Sequence, residues 1–163
     1  MKIEKIYFQP SGWVPNNQRL PVLIYRGAPS TSEPFSDFGS IFAANGWTGI
    51  WENGVFDYQH YHSGAHEVLG VRRGSATLLI GGPEGQPTIV SIGDCLVLPA
   101  GTGHRNLGCS PHFTVVGAYP EGQHADIQTA AATPDMLAKI ASLSVPDTDP
   151  IHGASGGLLD SWR

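Results

Sequence analysis

Charge and cysteine are both scarce in this sequence, and each shortage limits what the protein can be. Asp, Glu, Lys and Arg make up 14% of the 163 residues, and the net charge is −5. Basic residues cluster nowhere beyond the pair Arg72-Arg73, which argues against a nucleic-acid surface. Two cysteines, Cys95 and Cys109, are too few for a disulfide framework. We therefore expect reduced thiols and a cytoplasmic protein.

Long apolar segments are also missing. The first ten residues, MKIEKIYFQP, lack the apolar run of a signal peptide. No apolar stretch approaches the roughly 20 residues that cross a membrane as a helix. The sequence therefore predicts no association with membranes.

Glycine and proline are plentiful, with 21 and 13 residues, and they separate many short apolar segments. This pattern of short apolar segments separated by glycine and proline is typical of strands joined by tight turns, and it predicts an all-β sandwich or barrel. The strands are expected at 20–25, 47–52, 58–62, 67–73, 76–80, 88–92, 95–98, 104–107 and 113–119. Pro21 at the start of the first strand suits a sheet edge. Gly74-Ser75 is expected to close a hairpin between 67–73 and 76–80.

A few short helices should lie outside the strands. Ser32 or Glu33 can cap a helix with Pro34 in its first turn, and Asn45-Gly46 can end it. Its apolar face would carry Phe35, Phe38, Ile41 and Phe42. Thr133 and Pro134 begin a second predicted helix, which runs to about Leu143. The last twenty residues are expected to be irregular, with Leu158, Leu159 and Trp162 docking on the strands.

Two histidines separated by one residue, His60 and His62, are the strongest chemical signal in the chain. On an extended strand, residues i and i+2 point the same way, so both imidazoles can reach one ion. A pair of this kind also arises by chance among seven histidines. Glu67 follows five residues later, and His104 follows the turn Pro99-Ala100-Gly101. Three imidazoles and one carboxylate suit a divalent transition metal better than Ca²⁺ or Mg²⁺.

The glycines that frame these residues complete two motifs. The segment Gly54-x5-His60-x-His62-x4-Glu67-x6-Gly74 resembles the first cupin motif, and Gly93-x5-Pro99-x-Gly101-x2-His104 resembles the second. The second motif usually ends in Asn four residues after its histidine. Here Gly108 stands at that position, and the nearest asparagine is Asn106. The resemblance runs from Gly54 to about Tyr119 and is greatest to small single-domain bacterial cupins of the YjlB-like group.

This resemblance implies a double-stranded β-helix, or jelly-roll barrel, with a metal in one mouth. The implied ligands are His60, His62, Glu67 and His104, and the implied cofactor is one divalent transition metal: Zn, Fe, Mn, Ni or Cu. We expect residues 1–163 to form a single domain. Its barrel core would be about 47–119, with an N-terminal extension at 1–46 and a C-terminal helix and tail at 120–163. Cupins often form dimers, so a homodimer is expected.

The fold does not specify the reaction. The sequence favours a metal-dependent enzyme that acts on a small oxygen-rich organic molecule, as an isomerase, dioxygenase or decarboxylase does. A non-catalytic protein that binds or senses a small molecule or metal is the alternative. Alternation places Leu69 on the face of Glu67, which predicts an apolar cavity.

Side chains beyond the four implied ligands are candidates for catalysis or for orienting the ligands. Tyr58, Tyr119 and Arg73 could act on the ligand, and Tyr58 or Asn106 could orient a histidine. His66 adjoins Glu67 and could replace it as a ligand only if the strand is irregular there.

Overall fold

The computed structural model describes residues 2–27 and 37–163. Within them the chain forms nine strands and three short helices. The strands are β1 Lys2–Ile6, β2 Val22–Arg26, β3 Trp47–Asn53, β4 Glu67–Arg73, β5 Ser75–Ile80, β6 Gln86–Ser91, β7 Cys95–Leu98, β8 His104–Cys109 and β9 Thr114–Pro120. The helices are α1 Phe38–Ala44, α2 Pro134–Ser142 and α3 Gly157–Ser161. The predicted all-β class is confirmed.

The strands form two antiparallel sheets. The larger has the order β1-β2-β7-β4-β9-β3, and the smaller has the order β6-β5-β8. Apolar side chains from both sheets, among them Leu69, Leu78 and Leu96, form one buried cluster between them. This arrangement of two sheets around a shared core is the jelly roll.

The larger sheet is buried on its second face as well. Alternate residues of the same strands, such as Val68 of β4 and Val97 of β7, pack there against α1 and the C-terminal residues Leu158 and Trp162. Burial on both faces explains why β2, β4 and β7 are almost continuously apolar in sequence. Because β1 and β2 belong to this sheet, we propose that residues 1–163 form a single domain.

Two predictions about strand pairing are wrong. The strands β4 and β5 do not form a hairpin, because β4 pairs with β7 and β9 while β5 pairs with β6 and β8. The two strands lie in opposite sheets, from which their apolar residues enter the same core, and the chain turns between them at Gly74 with φ of 70°. The strand β2 lies inside its sheet and not at an edge. Pro21 precedes the paired residues, so its missing N–H costs no hydrogen bond.

The outer segments largely follow the sequence signals. Thr133 caps α2 by accepting a hydrogen bond from the backbone N–H of Met136, as predicted. The helix α1 ends before Asn45-Gly46, but its predicted start at Ser32, Glu33, Pro34 and Phe35 lies outside the described residues.

The C-terminal residues dock on the larger sheet as predicted. The chain forms α3 where irregular backbone was expected, and the indole N–H of Trp162 donates to the Pro21 carbonyl at 2.9 Å. The buried Asp149 carboxylate accepts from the Tyr25 hydroxyl and from the Leu158 backbone N–H. None of the described helices is both long and apolar enough to cross a membrane.

Close packing of α1 on β4 gives a test of this fold. A Cβ at Gly70 would lie 2.5 Å from the Phe38 ring, whereas a Cβ at Gly108 of β8 would meet nothing within 4 Å. We expect Gly70→Ala to lower the free energy of unfolding by about 1–3 kcal/mol through overpacking. The matched variant Gly108→Ala should change it by less than about 0.5 kcal/mol. Chemical denaturation measures both, and equal stabilities would contradict this packing.

Candidate metal centre

The three histidines meet where the chain segment between β3 and β4 crosses the start of β8. His60 and His104 form a backbone bridge, with N···O distances of 3.3 and 2.9 Å in the two directions. Their rings therefore lie side by side, with centroids 4.1 Å apart. The Gly101 N–H of the preceding turn donates to the His62 carbonyl at 2.8 Å, which holds the second histidine against the same turn. Within the segment 58–62, only His60 and Tyr61 make isolated β-bridges, so it is not the regular strand that the sequence predicted.

Each imidazole is buried and oriented through the same ring nitrogen. One nitrogen from each of His60, His62 and His104 lies within 4.8 Å of the other two, a spacing that could hold a metal ion. In every ring Nδ1 faces a backbone carbonyl. The acceptors are the carbonyls of Tyr58 for His60, Asp126 for His62 and Thr102 for His104. A neutral imidazole that donates a hydrogen bond from Nδ1 has its lone pair on Nε2, where it can bind a metal. Hydrogen bonds of this kind orient the histidine ligands of known metal sites.

Glu67 places a carboxylate beside these nitrogens. It is the first residue of β4 and is 2% exposed. Its Oε1 lies 3.2 Å from His62 Nε2 and 3.5 Å from His104 Nε2. The four residues that the resemblance implied as ligands therefore converge on one point.

Burial and neighbouring members of the cluster strongly change the pKa values of Glu67, His60 and His62. Burial disfavours the charged form of Glu67, but His62 and His104 outweigh this effect and lower the pKa of the carboxyl below its usual range. Burial also acts against a charged His62, yet the Glu67 carboxylate raises the pKa of His62 to about 9. Burial and the neighbouring His104 lower the pKa of His60 to about 3. A proton on His62 thus balances Glu67, in the place that a metal cation would take.

The donor set fits a divalent transition metal. Its members are buried, already oriented, and of the imidazole and carboxylate types that such ions prefer. An isolated buried carboxylate is costly unless a cation pairs with it, and a metal would provide that charge.

An apolar cavity of about 220 Å³ opens over the three histidines and Glu67. Leu69 lines it, as strand alternation predicted, together with Trp51, Val55, Phe56 and Ile127. The Tyr119 hydroxyl also faces the cavity and accepts a hydrogen bond from the Trp51 indole N–H at 2.8 Å. Burial and the nearby Glu67 carboxylate raise the pKa of Tyr119 above its usual range, so its hydroxyl stays protonated.

Two of the residues proposed from sequence for catalysis do not line this cavity. The Tyr58 side chain is 43% exposed, and the residue contributes its carbonyl to His60 instead. Arg73 is exposed at the opposite end of β4 from Glu67.

Asn106 and His66, the other two candidates from the sequence, make contacts outside the histidine cluster. Asn106 accepts from the Gly108 backbone N–H and does not orient His104, which Thr102 does. His66 is fully buried with its ring against Trp162, at 4.9 Å between centroids, and its Nδ1 accepts from the Ala100 N–H. It therefore points away from the metal cluster.

Asp126 is a site residue that the sequence did not reveal. Its carbonyl orients His62, and its carboxylate accepts hydrogen bonds from the Ser63 and Gly64 backbone N–H groups, both at 2.8 Å. The Ser63 hydroxyl and the Gln128 amide donate to the same carboxylate. Asp126 lies 64 residues beyond His62 and outside both motifs, so no local spacing indicates it.

Comparison with known proteins gives one close relative in sequence. No family model matches the chain. The uncharacterized protein YjlB of Bacillus subtilis (strain 168) is 37% identical over 161 residues, which covers 96% of this chain and 94% of that protein.

Solved structures align at lower similarity. Procruciferin, an 11S globulin from Brassica napus, is 19% identical with a TM-score of 0.40, over 69% of this chain and 23% of its own. The dTDP-4-dehydrorhamnose 3,5-epimerase of Bacillus anthracis is 10% identical with a TM-score of 0.35, over 83% of this chain and 82% of its own. A mutant of Bacillus subtilis oxalate decarboxylase OxdC is 15% identical with a TM-score of 0.35, over 94% of this chain and 38% of its own.

The relation to YjlB extends along almost the whole of both chains, and the first cupin motif and the second as far as His104 stand in order within a jelly roll. The chain therefore belongs to the cupin superfamily, as a small YjlB-like cupin.

Proposed function

We propose that the protein is a metal-dependent enzyme that binds one divalent transition metal through His60, His62, Glu67 and His104. The observation that carries this proposal is the convergence of three buried imidazoles, each with Nδ1 on a backbone carbonyl, around one buried carboxylate. A six-coordinate ion held by four protein ligands keeps two positions for a small molecule.

The bound metal would supply Lewis-acid or redox chemistry to an oxygen-rich substrate. Leu69 and Trp51 line the cavity and would exclude water from the reacting atoms. The protonated Tyr119 hydroxyl could donate a hydrogen bond to a substrate oxygen beside Glu67. Isomerisation, decarboxylation and reaction with O₂ all fit this arrangement.

A non-catalytic binding or sensing role is the second candidate. Apart from the four proposed ligands, Tyr119 is the titratable side chain among the residues that line the cavity. A site with a single weak acid beside the metal favours binding over proton transfer. Ligand binding that requires metal, without turnover under air or nitrogen, would establish this role.

Elemental analysis of protein purified without added metal or chelator would identify the native ion. The donor set suits zinc, iron, manganese, nickel and copper alike. Iron or copper would favour reaction with O₂, whereas zinc would favour isomerase or decarboxylase chemistry.

Removing one ligand gives the first test of the metal site. We expect His62→Ala to lose most of its metal, because the remaining donors no longer surround the ion. The apolar clusters do not include His62, so the variant should keep its fold by circular dichroism. His124→Ala, which changes an exposed histidine, is the matched control and should retain metal. Equal metal content in the two variants would refute the assignment.

Acid should compete with the metal at His62. The raised pKa of His62, about 9, means that the metal-free site holds a proton below that pH and must release it on binding. We expect apparent zinc affinity to rise about tenfold per pH unit between pH 6.5 and 8.5. A competition titration against a calibrated chromophoric chelator measures this slope. Affinity that does not change with pH would contradict the proton on His62.

Without metal, the same pair makes stability depend on pH. Because the pKa of His62 is raised from 6.5, its contribution is complete below pH 6.5 and is lost as the pH rises towards 9. Because the pKa of Glu67 is lowered from 4.5, its contribution is present above pH 4.5 and is lost in stronger acid. The ion pair of His62 and Glu67 therefore stabilises the metal-free protein most between pH 4.5 and pH 6.5.

Asp126 should support metal binding without touching the ion. Asp126→Ala removes the carboxylate that fixes the Ser63-Gly64 turn and shifts the carbonyl that orients His62. We expect zinc affinity to fall about 10–100-fold, as it does when orienting partners are lost. Asp147→Ala changes an exposed aspartate and should leave zinc affinity unchanged. Equal affinities in both variants would show that His62 does not depend on Asp126.

Assembly as a homodimer and location in the cytoplasm remain predictions from the sequence. The N-terminal strand β1 pairs with β2 of its own chain.

A further inference from the structure

Among the described residues, no lysine or arginine lines the cavity over the proposed metal centre. Arg72 pairs with Glu52, and Arg105 follows His104 in β8, where adjacent side chains face opposite ways. Ligands with several negative charges, such as phosphorylated compounds or dicarboxylates, would find no cation here other than the metal.

Charge balance at the metal allows one more negative charge. A divalent ion contributes +2 and Glu67 contributes −1, while the histidines bind as neutral ligands, so the centre has a net charge of +1. A ligand with one negative charge neutralises it. A second negative charge would leave an unbalanced buried anion in a molecule whose net charge is already −5.

The mouth of the cavity is apolar and partly exposed. Phe56 and Ile127 line it and are 45% and 52% exposed. The Phe56 ring stacks on Tyr58 at 4.7 Å between centroids, with 17° between the ring planes, and its edge meets His60 at 5.1 Å. Phe56, held in place by Tyr58, forms with Ile127 an apolar wall beside the proposed metal ligands. A ligand that covers the wall would remove apolar surface from water.

The cavity volume and the number of free metal positions further limit the class of ligand that fits. The cavity volume of about 220 Å³ lies below the range of roughly 300–1,000 Å³ found for drug-sized ligands, so one ring is the largest group that fits comfortably. A six-coordinate ion on the four proposed ligands would have two positions left, which two neighbouring oxygens of one molecule could fill.

We propose that the site takes a monoanionic chelator with two adjacent oxygens and one flat apolar ring, which lies against Phe56 and Ile127. Ring-bearing hydroxamates and catechol-like diols belong to this class, whereas oxalate and sugar phosphates do not. This ligand class rests on the metal-binding function proposed above and names the ligand of that same site.

Two hydroxamates provide a matched test, because they share one chelating group and differ in a ring. Calorimetry would compare benzohydroxamate with acetohydroxamate on protein loaded with zinc, which is redox-inert. We expect the ring to improve affinity at least about tenfold through burial of apolar surface. Phe56→Ala should reduce this ratio to about threefold or less, because it removes half of the wall. Oxalate should bind more weakly than benzohydroxamate.

Further controls distinguish an error in the proposed ligand class from an error in the proposed metal site. Ile89→Ala removes an apolar side chain that is 71% exposed on β6, and it should leave the hydroxamate ratio unchanged. If zinc binds at one ion per chain but the two hydroxamates bind equally, or oxalate binds tighter, the ligand class is wrong and the metal site stands. If zinc does not bind, or is lost equally from His62→Ala and His124→Ala, both proposals fall.

Discussion

A buried carboxylate among imidazoles must be neutralised, and this requirement underlies the structure of the whole site. Glu67 is almost fully enclosed and lies within 3.5 Å of two histidine nitrogens. In the metal-free protein, a proton on His62 supplies the positive charge. A metal held by the proposed ligands would take the place of this proton, so proton and metal would compete for one position below about pH 9.

The scaffold serves this requirement by fixing each donor through the backbone. Hydrogen bonds from Nδ1 to main-chain carbonyls leave little freedom to the rings, and the His60–His104 bridge fixes their separation. The larger sheet, with both faces covered, provides a stiff base for Glu67 at the start of β4. Donors oriented by backbone hydrogen bonds and a packed sheet should keep their geometry whether or not an ion is bound.

Frequent turn residues between short apolar segments predicted an all-β sandwich or barrel, and alternation placed His60 and His62 on one side of an extended chain. The resemblance to the cupin motifs implied the jelly roll and the grouping of these two histidines with Glu67 and His104. Local patterns could not show that β4 and β5 face each other across the core, since alternation gives a strand's apolar face but not its sheet. Tyr58 orients His60, as the sequence suggested, but through its backbone carbonyl and not its side chain, because its segment is not a regular strand. Asp126 was missed because its contact with His62 depends on the tertiary path of the C-terminal segment.

The hydrogen bond from His62 to the Asp126 carbonyl joins metal binding to the folding of the chain beyond the barrel. By thermodynamic linkage, if ordering of this segment strengthens metal binding, metal binding stabilises the ordered segment by the same free energy. A bound metal would thus stabilise backbone that it does not touch, and fraying of the backbone around Asp126 would weaken metal binding. The C-terminal segment would then contribute to metal affinity without supplying a ligand.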